Sequence, residues 1–132
     1  MIGIDTNVLL RFILADDAEQ LDSARAFLTA RSADDPAFVS LMVLAETYWV
    51  LRRRYKIANE VVVQTFRQLL DSQELMFEDE SFLESLLIDE YIMSADLSDH
   101  FIARIALNAG CQKTVTFDIN AAKSVPGMEL LQ

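Results

Sequence analysis

The chain has 132 residues, is 52% apolar and 24% charged, and carries only three glycines and two prolines, which excludes a disordered chain, collagen and a low-complexity linker. One cysteine, Cys111, excludes a disulfide framework, and with one histidine, His100, there are too few Cys and His for a structural zinc site. Twenty-one acids against eleven bases give a net charge of -10, which argues against a simple basic nucleic-acid binder and leaves room for acids that hold metal ions or meet a basic partner.

The length suits a single domain over residues 1–132 with one buried core. No apolar run approaches a membrane span, and Met1-Ile2-Gly3-Ile4-Asp5 has neither a basic region nor a cleavage pattern, so a cytoplasmic setting without a signal peptide is expected. In chain order, Ile2 to Ile4 reads as a first strand ending at Asp5. Residues 17–31 read as a helix, with Leu21, Ala24, Phe27 and Leu28 at helical spacing. Phe38 to Ser40 is a short second strand, 41–55 is helical, and so is 58–71, where Val62, Phe66, Leu69 and Leu70 line one face. Leu75 to Phe77 is a third strand and 80–92 a further helix. Residues 96–109 give the clearest helix: Leu97, Phe101 and Ile105 recur every four residues, Asp96 can cap the start, and Gly110 stands where a stop belongs. Thr114 to Phe117 is β-rich and ends at Asp118, and Met128 to Leu131 is a last strand. Short apolar runs alternating with helices predict an α/β domain with a parallel sheet.

Four acids stand out. Glu46 is the one charged residue between Ala37 and Leu51, among Val43, Leu44, Ala45, Tyr48, Trp49 and Val50. A carboxylate there must face a cleft, pair with a cation or take up a proton. The alternative is an exposed glutamate on a polar side that only Thr47 and Arg54 help to define. Asp5 and Asp118 each end an apolar strand, where open parallel sheets bind ligands, although each can equally cap a following helix. Asp99 shares a helix side with Ile102, Ala103 and Ala106, but Asp96 and Asp99 also resemble a capping box that suits the helix dipole. Four carboxylates without Cys or His describe a hard-cation site, for Mg²⁺ or Mn²⁺.

At these residues the chain resembles the PIN-domain nucleases and, within them, the VapC-type toxins of toxin–antitoxin pairs. The resemblance rests on Ile4-Asp5-Thr6-Asn7-Val8-Leu9-Leu10, on Val43-Leu44-Ala45-Glu46 with Trp49-Val50-Leu51, on Ala95-Asp96-Leu97-Ser98-Asp99 with Ile102-Ala103, and on Gly110-Cys111 with Thr116-Phe117-Asp118. It extends to Pro126-Gly127 and Leu130-Leu131. It implies a three-layer α/β/α fold with a five-stranded parallel sheet of order 3-2-1-4-5, in which Asp5 and Asp118 are neighbours. It also implies an acidic quartet of Asp5, Glu46, Asp99 and Asp118, catalytic and metal-binding, supported by the Thr6 hydroxyl, by Asn7 and by Asp96. The implied reaction is Mg²⁺- or Mn²⁺-dependent hydrolysis of RNA, leaving a 5′-phosphate and a 3′-hydroxyl. The implied partners are a small antitoxin with a basic arm and a second copy of the chain. Asn120 stands where many relatives carry another acid, which leaves the number of ions open. His100, beside Asp99 in sequence, is read as incidental.

Arg52, Arg53, Arg54 and Lys56 surround Tyr55 and hold four of the eleven bases. They are candidates to guide an RNA backbone, with Arg11 and Arg104, or form a solvated helix end favoured by the dipole. Two rivals to the nuclease are weighed. One is a PIN-fold interaction module without activity, which an intact quartet does not suggest. The other is a receiver- or haloacid-dehalogenase-type phosphate-transfer domain, for which Asp5-Thr6-Asn7 lacks the paired acids.

Overall fold

A computed structural model describes residues 1–88 and 96–132. The chain divides into two compact units, Met1–Glu84 and Ser85–Gln132.

The first unit runs β1 (Ile2–Gly3), α1 (Thr6–Leu14), α2 (Ala18–Thr29), β2 (Ala37–Val39), α3 (Leu41–Arg53), α4 (Asn59–Leu70) and β3 (Leu75–Phe77), and then enters α5 (Glu80–Ile88), which the unit boundary divides. Its three strands form a parallel sheet of order β1-β2-β3, with Ile2 opposite Ala37 and Ala37 opposite Leu75. Helices link the parallel strands, as such crossovers require. Ala37, Val39, Leu75 and Phe77 are buried while Met76 between the last two is exposed, so β3 turns one face to solvent. Leu44, Leu51, Val62 and Phe66 bury the inner faces of α3 and α4. Capping fixes where the helices start. Ser40 Oγ accepts from Val43 N at 3.1 Å, and Glu78 Oε1 accepts the neighbouring Leu41 N at 2.8 Å, which ties the end of β3 to the start of α3.

The second unit contains the end of α5, α6 (Leu97–Asn108), β4 (Thr114–Thr116), α7 (Ile119–Ser124) and β5 (Met128–Leu130). Strands β4 and β5 pair in parallel through the α7 crossover, with Thr114 opposite Met128. Ala103, Ala121 and Val125 form a small core closed by Met128. Helix α6 ends as expected. Gly110 takes a left-handed φ of 98°, its N–H donates to Leu107 O, and Cys111 N donates to Ala106 O at 3.0 Å, which is a Schellman stop.

The α/β class and the strand positions agree with the sequence reading to within a residue or two. The expected single sheet of order 3-2-1-4-5 is corrected: the strands form one sheet of three and one of two. The physical reason lies in β1. In a parallel ladder alternate residues face opposite neighbours, and both Ile2 N and Ile4 N donate to the β2 side, at 3.1 and 3.0 Å. Within this two-residue strand only Gly3 faces away from β2, which is too little for a second ladder. Two helices, α1 and α7, entered the sequence reading only as the helices that Asp5 and Asp118 could cap, and each starts directly after that Asp. Of the helix expected over 80–92, the part after Ile88 lies outside the described residues, as does Ala95 of the third motif. Ile105, expected on the buried stripe of α6, is exposed; Leu97, His100, Phe101 and Ala103 are the buried residues there, so His100 belongs to the packed interior. Among the described residues, no helix is long and apolar enough to cross a membrane.

Ala15, the C-cap of α1, holds a left-handed φ of 54°. A Cβ makes that conformation costly by about 1–2 kcal/mol. Ala15→Gly is therefore expected to stabilise the protein, by about 0.5–1 kcal/mol once the extra freedom of the unfolded glycine is subtracted. Thermal denaturation checks this, and a lowered melting temperature counts against it.

Candidate functional site

In the first unit the site grows from the end of β1. Asp5 leaves the strand in an extended conformation and caps α1, with Oδ1 accepting from Val8 N at 3.0 Å. The capping reading of Asp5 is therefore realised. It uses one carboxylate oxygen and fixes the side chain's orientation. The adjacent Thr6 donates its hydroxyl to Glu46 Oε1 at 3.0 Å, joining the first and second motifs across forty residues. Glu46 stands on α3 and is exposed. It shares an outer face with Met42, Trp49 and Arg53, while Thr47, expected to define a polar side, is fully buried. Asp5, Thr6, Asn7, Arg11, Glu46 and Arg54 all line one open cleft of about 360 Å³, together with Tyr55. Asp5, Asn7 and Arg11 also border a second, mainly apolar cavity of about 600 Å³ beside β1 and α2.

The cations of this unit have distinct surroundings. Arg11 is ion-paired to Asp16, and the hydrogen bond and charge of Asp16 hold its guanidinium above its usual pKa despite desolvation. Asp16 is held below the usual carboxylate range, first by Arg11 and also by the Tyr55 hydroxyl. Arg52 donates to Ile57 O at 3.0 Å and so closes the turn after α3. Arg53, Arg54 and Lys56 are exposed, and of these only Arg54 lines the cleft. Asp16 and Tyr55 had no role in the sequence reading. Their contact spans 39 positions and joins two turns, so no local periodicity reveals it.

In the second unit Asp118 caps α7, with Oδ1 accepting from Ala121 N at 3.0 Å, while its own N–H donates to Thr116 Oγ1. Asp96 caps α6 through Ser98 N at 2.9 Å. Asp99 lies in the first turn of α6 and is half-buried. Burial raises its carboxyl pKa, and the negative charges of Asp96 and Asp118 raise it further. Asp99 thus lies within electrostatic reach of Asp96 and Asp118, and a counter-cation there would relieve its charge. Arg104 lies further along α6, five residues past Asp99, and is partly exposed.

Among the described residues, no group of three or more His, Cys, Asp or Glu stands ready to hold a metal ion. The donors present are carboxylates and a hydroxyl, all hard oxygens, which is the chemistry that Mg²⁺ and Mn²⁺ take. Asp5 and Asp118 each commit one oxygen to a helix cap, and the second oxygen of each stands outside that bond. A sequence profile of the PIN domain matches residues 2–125 of the chain. No curated protein and no solved structure matches it.

Proposed function

The chain belongs to the PIN-domain family, a family of nucleases that usually depend on metal ions, and on that premise we propose that it is an Mg²⁺- or Mn²⁺-dependent endoribonuclease of the VapC toxin kind, folded as one PIN domain. Asp5, Glu46, Asp99 and Asp118 are its metal-binding and catalytic acids. The observation that carries this reading is the Thr6–Glu46 hydrogen bond, which gathers two of the family's acidic motifs at one cleft. A bound divalent ion supplies Lewis-acid activation of water and neutralises charge that develops on the phosphate.

The chain's own residues prepare for that chemistry. The helix cap holds the Asp5 carboxylate in one rotamer with an oxygen to spare. Thr6 fixes Oε1 of Glu46 in the same manner and leaves Oε2 open. Asn7, next along the cleft wall, is a neutral amide that can contact an acid without adding charge. Asp96 adds negative charge beside Asp99. Arg54 offers a cation at the cleft for an RNA phosphate, Arg11 lines the same cleft while paired to Asp16, and Arg52, Arg53 and Lys56, at and after the end of α3, are further candidates to guide the backbone. An antitoxin with a basic arm would neutralise the acids, and a homodimer is the expected assembly. Light scattering that shows only monomer at micromolar concentration counts against the dimer.

The direct test is cleavage of single-stranded RNA with Mg²⁺ or Mn²⁺, abolished by a chelator. Thr6→Val removes the hydroxyl at nearly constant volume. It is expected to lower metal-dependent cleavage about 10- to 100-fold, as loss of a group that orients a ligand does, whereas Thr6→Ser retains most activity. Equal activity of the valine variant and the wild type contradicts the support role.

A further inference from the structure

The cleft that carries Asp5, Thr6 and Glu46 has an aromatic wall that the acids do not explain. Tyr55 lines it with Arg54, and the residue remains 40% exposed. A tyrosine on an exposed turn can normally swing freely. This one is tethered, because its hydroxyl donates to Asp16 Oδ2 at 3.1 Å while Asp16 Oδ1 takes the Arg11 guanidinium. Arg11 is itself part of the cleft wall.

Both ends of the tether adjoin residues in the left-handed region. Ala15 precedes Asp16 with φ 54°, and Lys56 follows Tyr55 with φ 52°. Such conformations are costly for L-residues and persist where the surroundings fix them. The turn after α3 is fixed by Tyr55 N donating to Val50 O, by Ile57 N donating to Leu51 O and by the Arg52 contact to Ile57 O. An anchored ring thus borders an open cleft of about 360 Å³, a volume within the range of small-molecule sites, with Arg54 beside it. Single-stranded RNA is held by this pairing of parts: an aromatic face takes an unstacked base and a cation takes the adjoining phosphate.

We propose that Tyr55 is a base-stacking platform for the RNA substrate, held in position by Asp16 and Arg11. The proposal rests on the nuclease reading above. The ring binds; the hydroxyl only orients it. The choice of substrate then includes a preference for an unpaired nucleotide at this position, which a duplex does not offer.

The test is fluorescence anisotropy of a labelled, short, single-stranded oligoribonucleotide of mixed sequence, in a chelator so that nothing is cut. Tyr55→Ala is expected to weaken binding by on the order of tenfold, while Tyr55→Phe, which keeps the ring, stays far closer to wild type. With an oligonucleotide whose bases are removed, the difference between wild type and Tyr55→Ala is expected to vanish. Wild-type affinity in Tyr55→Ala overturns the proposal, and so does a Phe variant as weak as the Ala variant. Metal-dependent cleavage of the same RNA, and its loss in Asp5→Asn, test the nuclease reading separately. Cleavage together with an indifferent Tyr55→Ala overturns the stacking and leaves the nuclease, whereas an RNA neither bound nor cut overturns both.

Discussion

Asp5→Asn is expected to lower metal-dependent RNA cleavage by more than about a hundredfold, the upper range for groups that merely support a metal ligand, while leaving the folded state as stable as before. The two halves of this expectation come from two oxygens of one side chain. Oδ1 caps α1 through Val8 N. Asparagine is as good an N-cap as aspartate, so the amide keeps that bond. It lacks the charge that a divalent ion requires. Asp5→Ala removes both roles and should, in addition, destabilise the protein by about 1 kcal/mol through loss of the cap. Thermal denaturation of both variants beside a cleavage assay separates the roles. If the asparagine variant cuts at the wild-type rate, Asp5 is a helix cap and nothing more, and the catalytic assignment fails with it.

The cap made by Asp5 also shows why the sequence left the acids ambiguous. An Asp before a helix can cap it or serve a ligand, and the structure places Asp5, Asp96 and Asp118 all at caps, each bonded through one carboxylate oxygen. The same residues mark helices that periodicity missed. Thr6–Leu14 spans only nine residues, with polar Thr6, Asn7 and Arg11 set against an otherwise apolar run, and Ile119–Ser124 spans six, so each offers too short a window for periodicity to stand out. The strands were legible as short runs, mostly apolar or β-branched, between turn residues. How they pair was not, since the ladder along β1 depends on which edge of Ile2–Gly3 carries the N–H donors, and the strands form one sheet of three and one of two. Glu46 was found by its isolation among apolar neighbours, but its partner Thr6 was supplied by family likeness alone. Tyr55 and Asp16 had no signal, because their contact is made by two turns far apart in the chain.

Asp99→Asn should separate stability from activity in the opposite sense to a core mutation. Burial, followed by the charges of Asp96 and Asp118, raises the Asp99 carboxyl pKa above its usual value. Between the ordinary aspartate range and that raised value, the folded state binds more protons than the unfolded one. Stability of the metal-free protein therefore falls as pH rises through that window, and the full penalty stands at neutral pH. A neutral asparagine removes the term. In a chelator at neutral pH the variant should melt above wild type, and the gap should close as pH drops below the ordinary aspartate range, where Asp99 is protonated in both states. Divalent ions should reverse the order. At a hundredfold excess over its dissociation constant, an ion that binds only the folded state stabilises it by about 2.7 kcal/mol. Wild type should gain from Mg²⁺ or Mn²⁺, whereas the variant, inactive on RNA, should gain far less. Calorimetric melting of both proteins with chelator and with Mn²⁺, across pH, reads all of these quantities together. A variant that melts below wild type without metal contradicts the repulsion among the three acids of the second unit, and one that gains from Mn²⁺ as much as wild type removes Asp99 from the metal ligands.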